Sequence, residues 1–139
     1  MSLIGKFGAS PARSDVNVAC LSTDNVSEVM YIRDVPTVTG RWRVSKAQPI
    51  DPLMMPGVGV LISKTTPTAG IVRLTGDVEG IFSGLDVSKK YFVGDDGALV
   101  NPAPEPLPLS SVLVQRIGFP VASDILRLTG EQWMVMRKA

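Results

Sequence analysis

Glycine and proline are scattered along this chain rather than clustered, and that spacing limits what it can fold into. Thirteen Gly and eleven Pro break it into short runs rich in Val, Ile and Leu, which is the rhythm of a β-sandwich or barrel. Long helices have no room. The runs predict strands at Val16 to Leu21, Val29 to Val35, Arg41 to Ala47, Val58 to Ser63, Ile71 to Gly76, Lys90 to Gly94, Ala98 to Asn101, Val112 to Ile117 and Ile125 to Leu128. An isolated sheet of this size would leave an apolar face in water. An all-β, antiparallel two-sheet sandwich of jelly-roll-like form is therefore expected.

The length of 139 residues suits one domain, which buries roughly 68% of the surface its unfolded chain exposes, so no metal or disulfide staple is required. Residues 16–139 are expected to form a single sandwich domain. Residues 1–15 hold Ile4 and Phe7 among Gly, Ser, Pro and Ala, too little for an element, and read as a loose extended arm that orders on a neighbour. The one cysteine, Cys20, sits in the apolar run VNVACL and reads as a small buried hydrophobe.

Several function classes drop out. With no histidine and one cysteine, the usual zinc sites and His-based triads cannot be built. Fourteen basic and thirteen acidic residues, net +1, are spread evenly and show no nucleic-acid footprint. The opening MSLIGKFGASPARSD has no apolar signal core, and no apolar run is long enough to span a bilayer, so a cytoplasmic origin and no membrane partner are expected. Asn25-Val26-Ser27 matches a glycosylation triplet by chance on that reading.

Chemical motifs fail in turn. Gly57-x-Gly59 lacks a third glycine and a following helix, and Ser63-Lys64-Thr65-Thr66 lacks the glycine of a phosphate loop. Asp77 and Glu79 could pair as glycosidase carboxylates. Their flanking Gly76 and Gly80 instead suggest a turn with solvated acids. No catalytic residue, cofactor or metal site is expected, and an enzyme is the least favoured class.

Local patterns give further expectations. Alternation along Arg41–Lys46 puts Trp42 and Val44 toward the core and Arg41, Arg43 and Ser45 on the opposite face. Gly57 to Ser63 is apolar at consecutive positions, as in a strand covered on both sides, one of them a candidate for another subunit. Asp95-Asp96-Gly97 suits a hairpin turn with Gly97 at positive φ. Pro102-Ala103-Pro104-Glu105-Pro106-Leu107-Pro108 is stiff and extended and reads as a crossover between sheets. Thr129-Gly130-Glu131-Gln132 resembles a capping box that would start a helix over Glu131 to Lys138. A last strand through Trp133-Met134-Val135-Met136 competes with it, and on either reading Trp133, Met134 and Met136 form an apolar cluster expected in the core.

One stretch carries a resemblance. Gly84-Leu85, Tyr91-Phe92-Val93, Gly97, Leu99 and Val114-Gln115-x-Ile117-Gly118 are similar in order and spacing to the C-terminal β module of small head and tail proteins of tailed bacteriophages. The resemblance implies a virion structural protein, most like a capsid decoration (cement) protein. Such a protein binds the outside of the assembled head, with the major capsid protein as partner, and self-associates as a dimer or higher oligomer. It implies a place on the capsid surface after assembly in the host cytoplasm. Ile4, Phe7, Arg41 and Arg43 are the candidate contacts with shell or subunit. A tail, baseplate or receptor-binding module is the competing reading, and the low aromatic content, 6%, counts against carbohydrate-stacking platforms.

Overall fold

The computed structural model describes residues 14–34 and 40–139. It is all-β. The strands are β1 (Ser14–Ala19), β2 (Val29–Asp34), β3 (Trp42–Lys46), β4 (Gly59–Thr66), β5 (Ala69–Glu79), β6 (Tyr91–Val93), β7 (Leu99–Val100), β8 (Ser111–Val114), β9 (Arg116–Ala122), β10 (Ile125–Leu128) and β11 (Val135–Lys138). A nine-stranded sheet runs β1-β3-β2-β4-β5-β10-β9-β6-β7, and β1 also pairs with β5. That extra pairing closes β1 to β5 into a five-stranded barrel. A separate ribbon joins β11 to β8. The expected all-β class holds, but the pairing is not purely antiparallel. β1 and β3 run parallel, with Val18 opposite Trp42, because barrel closure brings together strands that no hairpin connects.

Each barrel strand sends at least one side chain inward. Val18, Met30, Val44, Leu61 and Val72, with Cys20, form one buried cluster. A second, larger core gathers Val29, Val60, Val78, Val93, Leu126 and Leu128 among others between the barrel wall and the C-terminal strands. Adjacent residues therefore serve different cores: Val29 and Met30 on β2, Val60 and Leu61 on β4. The unbroken apolar run in β4 is thus explained within the chain. Its second face is covered by the chain's own C-terminal half, not by another subunit.

Gly76 marks where β5 changes partner. Up to Thr75 the strand pairs with β1, and from Gly76 onward with β10. Its φ of 99° lies in the region open to glycine, which bends the strand out of the barrel. Asp77 and Glu79 consequently lie on a strand rather than in a turn, and Asp77 accepts two hydrogen bonds from Arg127 (2.8 and 3.3 Å). The expectation of solvated acids is corrected for Asp77, since both Asp77 and Arg127 are mostly shielded from water, and the contact holds the Arg127 guanidinium above its ordinary pKa; Glu79 is exposed, as expected. The chain turns only afterwards, at Gly80 (φ 74°).

Other expectations divide. Gly97 has the positive φ foreseen, 70°, and Asp96 shares it at 56°. The proline segment does carry the chain from β7 in the large sheet to β8 in the ribbon. The run from Val112 to Ile117 is broken at Gln115 into β8 and β9. At the C-terminus the helix does not form; a strand does, β11, but it runs Val135–Lys138 and so takes in only Val135 and Met136 of the span expected from Trp133 to Met136. Thr129, expected to cap that helix, has its hydroxyl oxygen buried without a hydrogen-bond partner. Ser14 and Asp15, counted with the arm from sequence, lie in β1, where Asp15 accepts two bonds from Arg73 (2.8 and 3.0 Å).

Candidate functional site

Of the four residues expected to make contacts, Ile4 and Phe7 lie outside the described residues. Arg41 is exposed just before β3. Arg43, on β3, donates to Asp34 at 3.3 Å, with both side chains more than half exposed. A pair so open to water contributes at most about 1 kcal/mol. Strand alternation brings Trp42 against the barrel cluster and Val44 into it, as expected. Ser45, expected outside with the arginines, is buried instead.

Ser45 turns inward because of a carboxylate that the sequence did not single out. Asp24 is fully buried; its carboxylate accepts from the Leu21 amide (2.8 Å) and from the Ser45 hydroxyl (3.2 Å). The Lys64 ammonium donates to the Asp24 carbonyl at 2.7 Å and to the carbonyls of Leu21 and Ser22 at 3.4 Å. This network ties the loop after β1 to β3 and β4. Beside it, burial pushes the Cys20 thiol pKa up, against the pull of Lys64. Asp24→Ala would leave the Leu21 amide and Ser45 hydroxyl unpaired, and about 2–3 kcal/mol of stability should be lost. Urea unfolding checks this, and a loss below about 0.5 kcal/mol would mean that the network is inert. The only sequence signal was the Leu-x-x-Asp spacing of a side chain bonding to a nearby amide.

Gln115, in the Val-Gln-x-Ile-Gly stretch, is the central polar residue of the C-terminal half. It has no exposed surface. Its amide oxygen accepts from Gly57 N (2.8 Å), and its nitrogen donates to the carbonyls of Gly57 (2.7 Å) and Glu131 (3.1 Å). One side chain thus satisfies main-chain groups of two segments that have no strand beside them there, the loop before β4 and the approach to β11.

The second of those segments walls a surface groove of about 460 Å³, lined by Phe92, Val114, Arg116, Glu131, Trp133 and Val135. Arg116 and Glu131 pair at 3.2 Å. Trp133 is 76% exposed, which departs from its expected place in the core. The size falls within the range of small-ligand and peptide sites, and the apolar floor with one ion pair has the composition of a binding site.

A matching protrusion lies in the proline segment. Leu107 is exposed and Leu109 fully so. Ser110 closes the turn by donating its amide (3.1 Å) and hydroxyl (2.7 Å) to the Leu107 carbonyl. Leu109 has φ 61°, a left-handed conformation that costs a residue with a Cβ about 1–3 kcal/mol. Such strain on a leucine held in water has no return within the described chain.

Among the described residues no group of three or more His, Cys, Asp or Glu is placed to hold a metal ion, and no helix is long and apolar enough to cross a membrane. Comparison with protein-family models, with curated proteins and with solved structures finds no match for this chain.

Proposed function

We propose that the chain is a non-enzymatic structural protein of a tailed-phage virion. In this reading it binds the outer surface of the assembled capsid and stabilises contacts between major capsid protein subunits. What carries the reading, beside the phage-like pattern from Gly84 to Leu128, is large apolar side chains left in water on a body tied by two cores. Ile50, Leu53, Leu107, Leu109 and Trp133 are all exposed. Scattered exposed residues are ordinary, but rigid loop tips carrying leucine are suited to contact with another protein. A small β protein that binds only the assembled shell stabilises that state by mass action, and many weak contacts act together through effective concentration.

Arg41, just before β3, and Arg43, on it, are proposed as shell contacts, with Ile4 and Phe7 on the arm. Self-association on the capsid belongs to the same reading, as does a jelly-roll-like pairing of sheets. Neither nucleic acid nor membrane is invoked. The second reading, a tail, baseplate or receptor-binding module, is favoured by one observation: the exposed Trp133 offers the open aromatic face that a saccharide reader uses.

Quantitative mass spectrometry of purified particles against the major shell protein separates the two. A copy number close to that of the shell protein is expected for decoration, because only the lattice offers so many equivalent sites. A handful of copies would favour the tail reading, and absence from particles would overturn both.

A further inference from the structure

We propose that the Leu107–Leu109 turn of one copy seats in the Trp133 groove of a second copy. The chain's own proline segment already walls a cleft over half of the face to which that groove belongs. Val114 is opposite Val135, and Arg137 is opposite Val112, across the β8–β11 ribbon; Phe92 is opposite Val100 across β6–β7. Residues two apart on a strand share a face. One half of this face, at Val100 and Val112, shares a cleft with Pro102, Pro104 and Leu107. Arg137 fastens that segment by donating to the Pro104 carbonyl (3.4 Å) and pairing with Glu105 (3.2 Å).

The other half, at Phe92, Val114 and Val135, is the open groove. The surface that accepts a proline-stiffened segment within the chain thus continues into a vacant stretch of like composition. Aromatic-lined grooves take such segments because their extended form loses little entropy on docking. The tip from Pro106 to Ser110 is uncharged, which suits the apolar floor, and it already holds Leu109 outward at the cost of an unfavourable φ. Backbone strain of this kind is found where a contact requires it. A second copy supplies the segment and the groove together, so the occupant needs no other protein.

Sedimentation velocity of the full chain tests this in solution, so its outcome is independent of the capsid reading. At ~100 μM, where a micromolar interface is saturated, the wild-type chain should sediment faster than a monomer. Leu109→Gly relieves the positive φ and should keep or raise the unfolding temperature while weakening association about tenfold or more. Trp133→Ala, at an exposed position, should weaken association similarly. An equimolar mixture of the two variants should recover association, since one retains the groove and the other the turn. A monomeric wild-type chain would overturn the proposal and leave the groove to another occupant, such as a saccharide on Trp133. Unchanged association in either variant, or a mixture of folded variants that stays monomeric, would overturn it as well.

Discussion

Replacing Gln115 by leucine should lower the stability of this chain by about 3 kcal/mol, a large share of what a small domain has. The volume is nearly kept, so packing is not the issue. What is lost is the set of bonds to Gly57 N, Gly57 O and Glu131 O, and Gly57 is buried. Each orphaned group costs about 1–3 kcal/mol, and their shared partner makes the losses non-additive. Denaturant unfolding measures the loss.

Gln115→Glu adds a control with a sign. A carboxylate there would be buried and face the Gly57 carbonyl, so its folded pKa must rise above the unfolded value of about 4.3. The protonated acid can still donate to that carbonyl. Stability contributed by the protonated form is fully present below the unfolded pKa and is lost as pH rises through the folded one. The variant should therefore come closest to wild type near pH 4 and fall away toward neutrality. A Gln115→Leu loss under about 1 kcal/mol would show that water replaces these bonds and that the residue is not a structural tie.

Gly118→Val should cost a comparable amount, about 3 kcal/mol, for the opposite reason. Gly118 faces Leu128 across the β9–β10 ladder. A Cβ there would land on the Arg127 carbonyl oxygen, well inside van der Waals contact, and 3.1 Å from the Arg127 carbonyl carbon. A main-chain atom in a ladder cannot rotate away as a side chain can, so strands must separate. Gly80→Ala gives the contrast: its φ is +74°, but a Cβ would meet nothing within 4 Å. Only backbone strain is added there, about 1–2 kcal/mol. Equal losses at the two positions would mean that the close approach of β9 and β10 has no special weight. Both large effects fall in the Val-Gln-x-Ile-Gly pattern, whose glutamine and glycine have structural duties: one replaces a missing strand, the other lets two strands meet.

The candidate contact surface was only partly legible beforehand. The stiffness of the proline segment and its crossover role followed from residues that fix φ and cannot donate. Trp133 looked like core because a tryptophan beside Met134 and Val135 is usually buried. It is exposed because Gln115 holds the Glu131 carbonyl and the chain passes on to an edge strand, β11, whose only strand partner among the described residues is β8. Asp24 gave almost no signal, since a buried carboxylate and a loop carboxylate have the same local sequence.

By itself the sequence determined what depends on neighbours along the chain. It placed most strands through apolar runs and glycine or proline breaks, the positive φ at Gly97, and the inward face of β3 at Trp42 and Val44. The tertiary structure decided what depends on residues distant in sequence. The parallel β1–β3 contact, the handover of β5 from β1 to β10 at Gly76, and the two cores that share β2 and β4 arise only when the barrel closes. A side chain's alternation says which face it occupies. Whether that face meets water, another strand layer or another subunit is settled by pairings that no local period encodes.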